Sequence, residues 1–240
     1  MTADTASPRS SPGRSIGRRL IGRLEVRMTL LALLIAFCLS LMSPYFLTQS
    51  NVFNMLDQSV VIGIVAVGMT FVILTGGIDL SVGSVAGLTG IILGLALREM
   101  PIVPAIALAV AAGGFIGLVS GLLINVFGLA AFVVTLGVMA IGRSLAYILS
   151  GQTAISTIPD AMQSIVYTTV LGVPTNVLFL LALYLVAFLY LGYTKGGRTI
   201  YAVGSNKEAA RAAGLSVLFY AVLPYVISGA LSAVAITFSI

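Results

Sequence analysis

The chain has 240 residues, 59% of them hydrophobic and only 8% charged, with a formal net charge of +5. A water-soluble domain carries about a quarter charged residues, so apolar surface on this scale, arriving in blocks of span length, has to be covered by lipid. Histidine is absent and Cys38 is the single cysteine, which removes the raw material for disulfide frameworks, metal clusters and Cys/His catalysis.

Residues 1–27 are rich in Ser, Pro, Gly and Arg, with Arg9, Arg14, Arg18, Arg19, Arg23 and Arg27 against Asp4 and Glu25. This composition predicts a disordered basic cytoplasmic tail. Aromatic residues are not interleaved with the basic ones, so the membrane surface, not nucleic acid, is the expected partner. The first apolar block, Met28 to Leu47, ends near Ser43-Pro44 without a small-x-small cleavage pattern and reads as an uncleaved span. Val60 to Leu97 is too long for one crossing of about twenty residues. Its break falls at Thr75-Gly76-Gly77-Ile78-Asp79-Leu80-Ser81, where the glycines can close one helix and Asp79 or Ser81 can cap the next. The outcome is two spans or two half-helices with a re-entrant link.

Further blocks run from Pro101 to Ile124, Gly128 to Leu149, Leu171 to Tyr193, and Val217 to the last residue, making seven in all. The predicted fold is therefore all-α, a polytopic transmembrane helical bundle with a broken helix near Gly76-Gly77. The last block stops without a polar tail or basic anchor, so more spans are expected in a longer protein. Lys195, Arg198, Lys207 and Arg211 lie between Thr194 and Ser216, whereas Ser150 to Val170 carries no basic residue and includes Asp160. With six spans between the tail and 194–216, the positive-inside rule places both in the cytoplasm and 150–170 outside. Arg98 is offset by its neighbour Glu99.

Ala105, Ala109, Gly113, Gly117 and Gly121 recur every fourth position, on one helix face that lets a second helix approach closely. Gly83 with Gly87, and Gly90 with Gly94, repeat the spacing. Asp79 is costly next to a span unless it caps, pairs or meets water; it is either a helix cap or a hydrogen-bonding group for a polar solute at the break. Asn54, Asp57 and Gln58 read as solvated interface residues, and Arg143 as a side chain that snorkels or pairs with a carboxylate. Between Tyr201 and Gly214, Ser205 or Asn206 can cap a short amphipathic helix, Glu208 suits its first turn, and Gly214 can end it. That helix is either an interfacial linker or a docking element for a cytoplasmic partner.

Two strings carry a resemblance. Val67-Gly-Met-Thr-Phe-Val-Ile-Leu-Thr-Gly-Gly-Ile-Asp-Leu-Ser-Val-Gly-Ser84 closely resembles the hallmark of the ribose-type ABC permease family. Gly197-Arg-Thr-Ile-Tyr-Ala-Val-Gly-Ser-Asn-Lys-Glu-Ala-Ala-Arg-Ala-Ala-Gly214 is similar to that family's ATPase-coupling loop. The Ser43-Pro44 end of the first span and Leu171-Gly-Val-Pro174 are also similar, so the resemblance covers most of 28–240. It implies a permease domain over 28–240, with 194–216 as the coupling loop, in a bacterial inner membrane. A second permease subunit, identical or homologous, would share the pathway. A cytoplasmic ATPase subunit would hydrolyse ATP, and an external solute-binding protein would deliver a ribose-like monosaccharide. Glu208, Ala209, Ala210 and Gly214 match the Glu-Ala-Ala-x-x-x-Gly core, with Ser205, Asn206 and Arg211 beside it. Thr75, Gly76, Gly77, Asp79 and Ser81 are the candidate substrate-pathway residues.

The chain has no Gly-x-x-x-x-Gly-Lys-Ser/Thr loop, so it is expected to be a transport subunit without a cofactor of its own and without enzymatic activity. An ion-coupled secondary transporter would place several carboxylates or histidines within its spans, and Asp79 is the one strong candidate here. An intramembrane hydrolase lacks an evident base. A permease for branched-chain amino acids is the neighbouring alternative, and a channel would show flux without ATP.

Overall fold

The computed structural model describes residues 24–153, 159, 162, 168–170 and 172–239. The helices are α1 Leu24–Met42, α2 Gln49–Leu74, α3 Val82–Ala96, α4 Ile102–Asn125, α5 Ala131–Ser150, α6 Thr175–Tyr193, α7 Lys195–Ser205, α8 Lys207–Ala212 and α9 Val217–Thr237. Two-residue strands, Thr169–Val170 and Val173–Pro174, pair antiparallel just before α6. Each of the seven apolar blocks contains a helix among the described residues. Among the described residues, five helices are long and apolar enough to cross a membrane, and Val26–Met42 and Val82–Ala96 are shorter apolar helices.

The first helix begins at Leu24, so residues 24–27, assigned above to the tail, are helical, while the rest of the expected tail lies outside the described residues. It also stops at Met42, short of Leu47, because Pro44 disfavours helical geometry at Ser43. The chain divides into a unit ending at Val52 and one beginning at Phe53. In the first, the turn after α1 is tied by the Asn51 side-chain amide, which donates to the Phe46 carbonyl at 2.8 Å.

In the second unit, the centre is the α4–α9 pair. The predicted small-residue face of α4 is buried, Ala105, Ala109, Gly113 and Gly117 among it. A methyl group at Gly117 would run into the Tyr225 carbonyl, and one at Gly113 into the Gly229 carbonyl. The two backbones therefore touch, a proximity that only glycine permits in lipid. Gly83 and Gly87 of α3 behave differently, since a methyl at either would meet nothing within 4 Å.

The order of contacts along α9 fixes the direction of each neighbour. Val60 and Ile64 of α2 pack against Ala235, while Gly68 meets Ser228 and Gly77 meets Tyr225, so α2 runs antiparallel to α9. Past the break the direction reverses, with Asp79 at Ser228 and Gly90 at Ile236. The helix pair α2 and α3 thus runs antiparallel, as a hairpin. In α4, Gly113 lies at Gly229 and Asn125 at Ala221, antiparallel again. One end of the unit accordingly gathers the break, the α4–α5 turn and the α7–α8 segment. The other gathers Met162 against Ala96 and Ala105, and Asn176 against Asp57.

Within the hairpin α3 is short. Its 15 residues cover about 22 Å at about 1.5 Å per residue, less than the about 30 Å of hydrocarbon. Ser228, beside Asp79, lies eleven residues past Val217, about 16 Å along α9. The first turn of α3 therefore sits near mid-depth, reached by the non-helical residues 75–81.

Gly117→Val should destabilise the unit by about 1–3 kcal/mol or more through overpacking, whereas Gly87→Ala should be neutral. Thermal unfolding of the two variants in detergent checks this, and an equal loss for both would contradict the seam.

Candidate functional site

Two glycine-terminated elements build the site. At the break, Gly76 adopts a left-handed φ of +76°. Its N–H donates to Ile73 O at 2.9 Å and that of Gly77 to Val72 O at 3.0 Å, a closure that satisfies the last carbonyls of α2. Thr75 turns its hydroxyl back to Val72 O at 2.9 Å. Gly77 has no room for a side chain against the Tyr225 hydroxyl.

Asp79 follows, 4% exposed. Its Oδ1 accepts from the Ser81 N–H at 2.9 Å and the Ser81 hydroxyl at 2.6 Å, and its Oδ2 from the Ser228 hydroxyl at 2.9 Å. Ser81 occupies the cap position of α3, but its side chain makes no cap bond to the helix. Asp79 thus neither caps α3 directly nor meets open space; it pins the break to the middle of α9. Thr75, Asp79 and Ser81 are all buried, and Gly76 and Gly77 stand at the edge of a small cavity.

The segment 194–216 forms two helices where the sequence suggested one. Thr194 caps α7 by accepting from the Gly197 N–H at 3.0 Å. Asn206, of the two proposed residues, caps α8; its Oδ1 accepts from the Glu208 and Ala209 N–H groups, both at 2.9 Å, while Ser205 is the last residue of α7. Glu208 lies in the first turn of α8 and Arg211 in the last, each matching the helix dipole. Gly214 has φ of +75°. Its N–H donates to Arg211 O at 3.0 Å and that of Leu215 to Ala210 O at 3.1 Å, the same closure as at the break. Ala210 is buried with Val203, Val217 and Ala221, whereas Glu208, Ala209 and Arg211 are exposed.

These two elements touch. A methyl group on Gly204 of α7 would run into the Leu74 carbonyl and lie 3.1 Å from the Thr75 Cα. Lys207, first residue of α8, donates to Asn125 Oδ1 at 3.1 Å, and the Asn125 amide donates to Ala221 O at 3.2 Å. A cavity of about 260 Å³ lies between them, lined by Thr75, Gly76, Gly77, Asn125, Lys207 and Tyr225 among others. The cytoplasm-facing helices of the sequence reading are therefore packed directly on the point where the transmembrane helix breaks.

Sequence reasoning missed α7 and Asn125. Gly196 and Gly197 lower the helix propensity at the start of α7, yet Gly197 is needed where the chain turns back against the Tyr190 and Leu191 carbonyls. Asp57, expected to be solvated, is instead part-buried and accepts from the Asn176 amide at 2.6 Å, because Asn176 is 1% exposed and needs a partner. Arg143 is exposed and has no ion-pair partner among the described residues; it lines a groove between α3 and α5. The basic-free loop 150–170, Asp160 included, lies mostly outside the described residues. Among those residues no His/Cys/Asp/Glu group could hold a metal.

Comparison with known proteins places this geometry in context. Residues 51–238 match the family model described as branched-chain amino acid transport system / permease component. The ribose import permease protein of Escherichia coli (strain K12) is 37% identical over 227 residues, covering 91% of this chain and 71% of that protein. The ribose import permease protein of Haemophilus influenzae is 36% identical over 225 residues, 92% of this chain and 69% of that protein. The D-allose transport system permease protein of Escherichia coli (strain K12) is 34% identical over 202 residues, 83% of this chain and 62% of that protein. No solved structure matches.

Asp79→Asn should unfold close to the unaltered protein, because one carbonyl oxygen still serves Ser81 and the amide can face the Ser228 hydroxyl. Asp79→Leu should cost about 1–3 kcal/mol for each buried group left unpaired. Thermal unfolding in detergent separates the two, and equal stability of the leucine variant would remove the clamp.

Proposed function

Because the chain belongs to the family described as branched-chain amino acid transport system / permease component, a family of multi-pass membrane permeases, we propose that it is the membrane-spanning subunit of an ABC importer for a ribose-like monosaccharide. The family membership and the names of the ribose and allose permeases support the reading. The observation that carries its mechanism is the contact of Gly204 with the Leu74–Thr75 backbone. A subunit without a phosphate-binding loop of its own receives motion from one that hydrolyses ATP, and here the exposed face of α8 is one helix away from the transmembrane break. Glu208, Ala209 and Arg211 form the docking face, with Ser205 and Asn206 setting its angle; Ala210 and Gly214 hold α8 on the bundle. A second permease subunit, identical or homologous, completes the pathway, and an external solute-binding protein supplies the sugar. The break, Thr75 to Ser81, works as the hinge of that pathway, and Asp79 holds it in register without touching solute.

The orientation follows from charge. Lys195, Arg198, Lys207 and Arg211 cluster at the end of the unit that carries the break, so this end faces the cytoplasm, as does the basic tail. In a Cys38→Ser background, a cysteine at position 209 should be labelled by an impermeant thiol reagent only from the cytoplasmic side. Labelling from outside in intact cells would invert the topology.

Charge reversal of Glu208 together with Arg211→Glu should lower affinity for the ATPase subunit about tenfold, about 1.4 kcal/mol. Gly214→Val should act similarly, since a side chain at this φ costs about 1–2 kcal/mol. Sugar uptake and solute-stimulated ATP hydrolysis by the assembled complex should fall together with membrane insertion unchanged. Survival of both activities would make 194–216 a linker. Uptake of branched-chain amino acids in place of sugar would move the substrate to the neighbouring class.

A further inference from the structure

The groove between α3 and α5 has a volume of about 450 Å³ and is lined by Leu80, Gly83, Ser84, Gly87, Arg143, Tyr147 and Ser150 among others. It opens on a face that a membrane protein turns either to lipid or to something polar. Three features decide between these.

The first is charge and depth. Gly142 packs on Ser84, where a methyl group would lie 3.2 Å from the Ser84 hydroxyl oxygen. Ser84 belongs to the first turn of α3, which starts near mid-depth, so the neighbouring Arg143 sits well inside the hydrocarbon. An arginine there is unfavourable by about 2.5–3.5 kcal/mol even on the most lenient scale, and among the described residues no carboxylate pairs with it. Water or a polar solute is the environment that stabilises it.

The second is the pattern of donors and acceptors. The guanidinium offers donors only. The Ser84 hydroxyl already donates to Ser81 O at 2.8 Å and that of Ser150 to Tyr147 O at 3.2 Å, so both present lone pairs to the groove. A wall that donates at one point and accepts at two others suits hydroxyl groups, which do both. The third is shape: Gly83 and Gly87 leave open space that a side chain would fill, and Tyr147, 59% exposed, offers an aromatic face to C–H groups.

We propose that this groove is the mid-membrane binding surface for the solute in transit, that its ligand is an uncharged, hydroxyl-rich small molecule, and that Arg143 is its specificity-determining contact. The proposal rests on the monosaccharide reading above and adds the surface the sugar touches.

The test uses the full complex, with its ATPase and solute-binding subunits, reconstituted in proteoliposomes. Uptake of ribose is compared with uptake of its monodeoxy analogues at saturating binding protein. Arg143→Met should lower ribose uptake about tenfold or more, as expected for losing a hydrogen bond from a charged donor, with normal membrane insertion and subunit assembly. Arg143→Lys should restore part of the rate. For one deoxy analogue, the losses from removing the hydroxyl and removing the guanidinium should not multiply. Ribose uptake by Arg143→Met at the unaltered rate, or independent multiplication for every analogue, would mean that Arg143 snorkels and the groove is covered by lipid or another subunit. A cysteine at Gly87, in the Cys38→Ser background, gives a second readout: a small hydrophilic thiol reagent should modify it, and ribose should slow the reaction. No modification would overturn a water-filled groove. If the unaltered complex transports branched-chain amino acids and no sugar, the substrate reading fails by itself, and Gly87→Cys modification still decides whether the groove is the path.

Discussion

Breaking a helix inside a bilayer exposes backbone groups that no water can satisfy, and each one left unpaired costs several kcal/mol. Most of the second unit is arranged around meeting that requirement between Thr75 and Ser81. Gly76 and Gly77 return the last α2 carbonyls to backbone donors, and Asp79 takes the Ser81 N–H and two hydroxyls. Among the described residues no buried side-chain nitrogen or oxygen lacks a partner. The partner that makes this possible is α9, whose Ser228 and Tyr225 side chains face the break while its backbone at Tyr225 and Gly229 is locked to Gly117 and Gly113 of α4. A break pinned to the most tightly packed seam of the unit is irregular without being loose.

The same seam explains how the α7–α8 segment reaches the break. The link is backbone to backbone at Gly204 and Leu74, and side chain to side chain through Lys207, Asn125 and the Ala221 carbonyl. Such contacts have little slack, because closely packed interiors transmit displacement more readily than they absorb it. A shift of α8 is therefore passed to α9 through Ala210 and to the rim of the break through α7.

What the sequence made legible was what neighbouring residues determine. Gly76 and Gly214 both ended their helices with left-handed φ, and Asn206 capped α8, since capping depends on a few consecutive positions. The every-fourth-residue face of α4 was buried as its spacing indicates. What stayed hidden depended on distant partners. Asp57 and Asn176 are 119 residues apart, and nothing local marks them as a pair. Asp79 offered two roles, cap or solute ligand, and the structure gave it a third through Ser228, 149 positions away. In α7 the glycines that look like breakers are contact residues, so propensity and packing pointed in opposite directions. Gly83 and Gly87 share the spacing of the α4 face, but spacing alone does not say whether a second helix or a groove lies opposite.

The half-length of α3 has an electrostatic consequence. A helix that crosses completely leaves its positive end in the headgroup region, where ions and water screen it. Here that end, equivalent to about half a unit charge, lies near the middle of the low-dielectric layer, with Arg143 on the adjoining helix and with Asp79 already engaged by three hydrogen-bond donors. An anion is favoured at such an end, and the Asp79 carboxylate, which accepts from the Ser81 N–H, is the group placed there. The dipole of the short helix thus stabilises a buried carboxylate beside the break, where that of a fully crossing helix would act on solvent.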